Sequence, residues 1–151
     1  MIRKAFFPGS FDPFTIGHLS LVNRALALVD EVIIGVGIND AKNSLLSADK
    51  RVDYIERVFE KEKRVRVVKY KGLTVDAARN EGAAFILRGL RNSNDFEFER
   101  NIAETNRMLE GVETILLFSE PALAHISSSM VRELFRFGRD IDAYIPTPLE
   151  G

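Results

Sequence analysis

The eight residues Glu31 to Ile38, EVIIGVGI, constrain this chain most. A near-continuous apolar run without alternation marks a strand covered on both faces, and therefore a parallel sheet with helices on either side. The flanking sequence fits that reading. Ile2 to Phe7 reads as a strand stopped by Pro8-Gly9. Val22, Ala25, Leu26 and Val29 stand at i, i+3, i+4 and i+7, which predicts one helical face between His18 and Val29. Ser47 is positioned to cap a helix running to about Glu60, with Val52, Ile55 and Phe59 inward. Arg64 to Tyr70 alternates basic residues with Val and predicts a half-exposed strand. Thr74 can cap a short helix that stops at Gly82. Ala83 to Leu87 reads as a fourth, buried strand. Asn94 or Asp95 opens a helix to about Leu109, ended by Gly111, and Thr114 to Phe118 makes a fifth strand. Ser127 or Ser128 caps a last long helix ending at Gly138, and the tail with Pro146 and Pro148 reads as irregular.

Five strands alternating with helices predict an α/β fold with a doubly wound, five-stranded, mostly parallel sheet. At 151 residues, with no linker or repeat, the expectation is one domain over residues 1–151. A net charge of -1 disfavours a general nucleic-acid binder, which carries a basic excess. The basic cluster Lys61, Lys63, Arg64, Arg66, Lys69 and Lys71 reads instead as a solvated helix end and a guarded edge strand. With no Cys, thiolate metal sites and cysteine nucleophiles are excluded, and two His are too few for a multi-His metal centre. The most apolar stretch, Ala25 to Ile38, is broken by Asp30-Glu31 and is too short to span a bilayer. No membrane contact is expected, and the default compartment is the cytoplasm.

In open parallel sheets ligands bind beyond the carboxyl ends of the strands, where the strand order reverses. Read this way, the chain places Pro8 to His18 after its first strand, Lys42 after its second and Arg88-Gly89-Leu90-Arg91 after its fourth. Ile126-Ser127-Ser128-Ser129 stands at a helix start after its fifth. Singly, each has an ordinary explanation. His18 can be a helix-start residue, the serines a cap, Arg88 and Arg91 surface charges and Lys42 a loop lysine. Together they set cations and free helix-start N–H groups at one end of the sheet, a site for a small phosphorylated ligand. Gly35-x-Gly37 lies inside a strand and is no dinucleotide fingerprint, and the Walker-type loop is absent.

Thr15-Ile16-Gly17-His18 and Ile126-Ser127-Ser128-Ser129-Met130-Val131-Arg132 resemble the two signatures of the nucleotidylyltransferases, (H/T)-x-G-H and I-S-S-(S/T)-x-x-R. A narrower resemblance, to bacterial phosphopantetheine adenylyltransferases, rests on Pro8 to His18, Lys42, Arg88 to Arg91 and Asp95 to Glu99. It implies a Rossmann-like nucleotidylyltransferase fold with the third strand at an edge. The reaction it implies transfers the adenylyl group of ATP to 4′-phosphopantetheine, giving dephospho-coenzyme A and pyrophosphate. The same resemblance implies Ser10, Lys42, Thr74 and Arg88 at the phosphopantetheine. It places Ser10, Phe11, His18, Gly89, Leu90, Arg91, Glu99, Leu123, Ala124, His125, Ile126, Ser127, Ser128 and Ser129 at ATP. It further implies Mg²⁺ carried mainly on the ATP phosphates, a homohexamer, and coenzyme A as feedback inhibitor.

Departures from the family pattern are confined to a few positions. Phe7 and Phe98 stand where Tyr is frequent, and Ser119 to His125 lacks the aromatic residue common before the serine motif. The implied chemistry needs no covalent intermediate, because the attacking phosphate is already an oxyanion at neutral pH. His18, Lys42 and Arg91 are then the groups expected to hold two anions in line and stabilise the developing charge. Two alternatives stay open on the sequence: a sister adenylyl- or cytidylyltransferase with another acceptor, and a non-catalytic nucleotide- or flavin-binding module.

Overall fold

The computed structural model describes residues 1–41 and 43–150. Lys42, expected to meet the attacking phosphate, lies outside the described residues. The elements run β1 (Lys4–Gly9), α1 (Ile16–Ala25), β2 (Glu31–Gly37), α2 (Ala48–Val58), β3 (Val65–Tyr70) and α3 (Thr74–Asn80). They continue with β4 (Phe85–Leu90), α4 (Ser93–Glu110), β5 (Glu113–Phe118) and α5 (Ser128–Arg136). The strands form one parallel sheet in the order β3-β2-β1-β4-β5. β3 is an edge, as the basic alternation and the family resemblance both predicted.

The central strands are apolar because both of their sides are covered. Neighbouring residues go to opposite cores: Phe7, Ile34 and Leu87 pack on one side, Phe6, Ile33 and Ile86 on the other, all nearly inaccessible to solvent. Gly35 is glycine because the Phe6 ring crosses it; an added Cβ would fall 2.1 Å from that ring. On the β3 edge the basic residues are paired. Arg66 binds Glu31 and Glu81, Lys69 binds Asp49, Lys71 binds Asp40 and Arg64 binds Glu62.

Several boundaries differ from the sequence reading, each for a local reason. The first helix starts at Ile16 and stops at Ala25, because Thr15 caps it and Leu28 and Val29 turn back onto the Ala25 carbonyl. Thr74 is not a cap. Leu73 holds that position without a side-chain bond, while the Thr74 hydroxyl meets the Tyr70 hydroxyl at 2.9 Å. The fourth strand runs past the charge at Arg88 to Leu90, because β5 pairs with it from Phe85 to Leu90. Arg88, Gly89 and Leu90 therefore belong to the strand itself. α4 is capped by Asn92, two residues before the expected start, and ends at Gly111, whose φ of 68° suits a residue without Cβ. The last helix spans only nine residues. The tail after it is anchored: Ile141 and Ile145 pack against Val131, and the Tyr54 hydroxyl donates to the Thr147 carbonyl at 2.6 Å.

Candidate active site

The sheet opens where its strand order reverses. β1 pairs with β2 along six residues, but with β4 only at Ala5–Phe85 and Phe6–Ile86. Beyond Phe6 the two strands part, and the crevice between them is the expected ligand position in such a sheet. Two cavities occupy it, of about 490 Å³ and 330 Å³. They share a wall made of Pro8, Gly9, Ser10, Arg88 and Glu99.

Arg88 holds that wall. Its Nε and Nη2 donate to the two Glu99 carboxylate oxygens at 2.9 and 2.7 Å, and its Nη1 donates to the Pro8 carbonyl at 3.2 Å. Glu99 is the one buried residue of α4. The bond to Pro8 spans the gap that missing β1–β4 pairing leaves, and the bidentate pair with Glu99 fixes the guanidinium that makes it.

The smaller cavity carries both sequence motifs. Thr15 caps α1, and His18, three residues on, completes a capping box in which histidine takes the usual place of Glu or Gln. The Thr15 backbone N–H donates to His18 Nδ1 at 2.9 Å. That bond makes Nδ1 an acceptor and puts the ring proton on Nε2. The spacing of Thr15-Ile16-Gly17-His18 is thus the spacing of an N-cap and its third helical residue. His18 sits among Phe7, Phe11 and Phe14, with ring centroids 6.1, 4.9 and 5.2 Å away. Burial, with the nearby Arg88 and Arg91 charges, pushes its pKa down to about 4. The imidazole of the free protein is therefore neutral at pH 7, and its Nε2–H is the donor left for a ligand.

The second motif faces the first. The Ser127 hydroxyl accepts from the Met130 N–H and caps α5. The Ser128 hydroxyl donates to the Pro13 carbonyl at 2.8 Å, and the Ser129 hydroxyl accepts from Arg132 Nη2 at 3.1 Å. Arg132 Nη1 donates to the Asp12 carbonyl at 2.8 Å. The Ser128 hydroxyl thus donates its proton within the protein, whereas Ser127 and Ser129 only accept and keep theirs. The backbone N–H groups that open α5, with the Ser127 and Ser129 hydroxyl protons, are what an anion would meet. Gly17 lies between the motifs, 3.4 Å from Thr15 Oγ1 and 3.9 Å from the Ile126 carbonyl for an added Cβ. Arg91 completes the rim. Its backbone and guanidinium bind Asp95 at 3.0 and 3.1 Å. Burial raises the Asp95 pKa, but the Arg91 bonds outweigh it and hold the carboxyl below its ordinary value.

The expected residues separate between the cavities. Ser10, Phe11, His18, Gly89, Arg91, Glu99, Leu123, Ile126, Ser127, Ser128 and Ser129 line the smaller one. Ser10, Thr74 and Arg88 line the larger. Leu90, Ala124 and His125 line neither: Leu90 is buried and His125 is exposed. Sequence reasoning gave no role to Asp12, Arg51, Tyr70, Asn106 or Arg132. Asp12 and Arg132 sat within quoted motifs, whereas Tyr70 and Asn106 reach the larger cavity only through the topology. No helix among the described residues is long and apolar enough to cross a membrane.

A family model described as cytidylyltransferase-like matches residues 6–134. A phosphopantetheine adenylyltransferase of Phocaeicola vulgatus is 54% identical over 145 residues, covering 96% of both chains. One of Bacteroides fragilis is 51% identical over 149 residues, covering 99% of both. The chain belongs to the phosphopantetheine adenylyltransferase family. Its family fold is also seen at much lower identity. A lipopolysaccharide core biosynthesis protein from Thermoplasma volcanium matches with a TM-score of 0.57 at 17% identity, over 80% of this chain and 98% of that one.

Within the family frame, the positions that depart from its pattern have clear surroundings. Phe7 is buried against Phe11 at 5.1 Å between ring centroids. Phe98 is 63% exposed at the mouth of the larger cavity. The segment before the serine motif makes a 3₁₀ turn at Pro121–Leu123, and Ser20 donates to Glu120 at 2.8 Å to tie it to α1.

Proposed function

We propose that the protein transfers the adenylyl group of ATP to 4′-phosphopantetheine, with ATP in the smaller cavity and the acceptor in the larger. The observation that carries this reading is the shared wall. Ser10 and Arg88 border both cavities, so a phosphate held there from the acceptor side stands next to one held by His18 and the start of α5. Two reactants fixed in adjoining cavities make the displacement effectively unimolecular.

The residues divide the work. His18 Nε2–H donates to the α-phosphate, more strongly as negative charge grows on it in the transition state. Its Nδ1 bond to the Thr15 N–H holds the ring in that tautomer. Arg91 and the free N–H groups of α5 hold the β- and γ-phosphates, which leave as pyrophosphate. Ser10, Thr74 and Arg88 face the acceptor, and Lys42 is the further cation assigned to its phosphate. The acceptor oxygen is already ionised, so the neutral His18 is not needed as a base. The two carboxylates nearest the nucleotide, Asp95 and Glu99, are held by Arg91 and Arg88, and no cluster of three metal-binding side chains occurs among the described residues. These residues do not make a cage for Mg²⁺, which we take to arrive on the ATP phosphates.

We also propose a single domain, a cytoplasmic setting, a homohexamer and inhibition by coenzyme A at the acceptor cavity. The exposed apolar residues Phe96, Ile102, Met108 and Leu109 on α4 and Phe118 at the end of β5 support a subunit contact on that side. Pyrophosphate release tests the reaction. It is expected only with ATP, Mg²⁺ and 4′-phosphopantetheine together. Equal turnover with nicotinate mononucleotide in place of the acceptor overturns it.

A further inference from the structure

Arg51 is 6% exposed, and Asp12, 1% exposed, lies near it in the fold. Nothing in the chemistry above uses either side chain. Arg51 belongs to α2, where a charged residue normally extends its head into water. Here it turns inward and donates to three backbone carbonyls from three segments. Its Nη1 reaches the Ser10 carbonyl at 2.7 Å and the Gly37 carbonyl at 3.2 Å, and its Nε reaches the Leu46 carbonyl at 3.2 Å. Asp12 acts from the other side. Its Oδ2 and Oδ1 accept the N–H groups of Leu45 and Leu46, both at 2.8 Å.

We infer that Arg51, with Asp12, is a positioning residue for the acceptor: it fixes the loop after β1 to the end of β2 and thereby sets the width of the larger cavity. Ser10 lines that cavity from β1, and Gly37, Ile38 and Asn39 line it from β2. No backbone hydrogen bond of β1 or β2 extends to join Ser10 with Gly37, since their pairing ends at Gly9 and Val36. Arg51 supplies the link at that point. A guanidinium suits the task because its rigid fork reaches several carbonyls at once, which an ammonium on a flexible stem does not. Arg51 binds carbonyls and, among the described residues, has no carboxylate within salt-bridge distance. The same loop is tied a second time beside the smaller cavity, where Ser128 and Arg132 donate to the Pro13 and Asp12 carbonyls, and these bonds remain when Arg51 is lost. Loosening Arg51 is thus felt by the acceptor more than by ATP.

This inference rests on the proposed assignment of the larger cavity to phosphopantetheine. The test uses the full chain with Arg51→Met, Arg51→Lys and Asp12→Asn. KM for each substrate, kcat and amide exchange at Leu45 and Leu46 are measured for all. Arg51→Met should raise KM for 4′-phosphopantetheine about tenfold and lower kcat about 10- to 100-fold, the scale of an ångström of misplacement. KM for ATP should stay within about twofold, and Arg51→Lys should restore only part of kcat. Asp12→Asn should speed exchange at both amides and raise the same KM. It carries the test if Arg51→Met does not fold. Unchanged acceptor KM in the folded variants, whatever their thermal stability, overturns the inference, as does an equal rise in both KM values. Wild-type protein that releases no pyrophosphate with both substrates overturns the functional reading instead. Unaltered exchange at Leu45 and Leu46 in Asp12→Asn overturns the positioning link on its own.

Discussion

The two cavities that meet at Arg88 are built in opposite ways. The smaller cavity, to which we assign the nucleotide, is local. Thr15 holds His18 across one helical turn, Ser127 caps the helix that follows it, and the two turns bind each other through Ser128 and Pro13. The larger cavity, to which we assign the acceptor, is assembled from afar. Its walls come from all five strands, from α3 and from α4, and no short stretch of sequence contains it. A cavity made of capped helix starts is recognisable as a motif, whereas one made of strand ends is recognisable only through the sheet order.

The shared wall is where this contrast breaks most sharply. Arg88→Met leaves the buried Glu99 carboxylate without its partner, and losing one member of a buried pair costs about 3–5 kcal/mol. The expected result lies toward the low end, since Arg88 is itself a third exposed. Denaturant unfolding measures it, and replacing Glu99 with Leu as well should restore most of the loss. Both KM values should rise in the single variant, because both cavities lose a wall.

His18→Ala tests the local side alone. Removing one preorganised donor costs about 2.7–4 kcal/mol, a 10²- to 10³-fold drop in kcat. ATP affinity by calorimetry should change little, because the donor acts mainly in the transition state. Near-normal kcat with weakened ATP binding would make His18 a ground-state ligand.

The titration of His18 sharpens the same point. Folding lowers its pKa from 6.5 to about 4. Between those values the unfolded chain holds a proton that the folded one does not. The ligand-free protein should therefore lose stability as pH falls from 6.5 to about 4, and His18→Gln should flatten that part of the curve. A bound triphosphate favours the imidazolium, so an NMR titration with a non-hydrolysable ATP analogue should show the pKa rise.

The smallest expected effect is at the second helix start. Ser127→Ala removes the cap of α5 and should cost about 1 kcal/mol in unfolding. It should raise KM for ATP while leaving KM for phosphopantetheine unchanged, as steady-state kinetics will show. An equal change in both would mean that the two sides are not built independently.

The sequence alone determined the alternation of elements, the edge position of β3 and the two motifs that line the smaller cavity. The reason is that buried parallel strands and capped helix starts write themselves locally, as EVIIGVGI, Thr15 to His18 and Ile126 to Ser129 do. It placed Arg88 to Leu90 in a loop because a charge reads as the end of a buried run. Only the tertiary structure showed that Glu99, eleven residues on, and the Pro8 carbonyl receive that charge within the strand. It also decided that the Ser128 hydroxyl donates to the Pro13 carbonyl, while Ser127 and Ser129 only accept. Arg51 was silent in the sequence for the same reason. On a helix, one arginine looks like any other, and its three carbonyl partners lie 41, 14 and 5 residues away. Hydrogen bonds at such separations are fixed by the order of strands in the sheet, which no local pattern records.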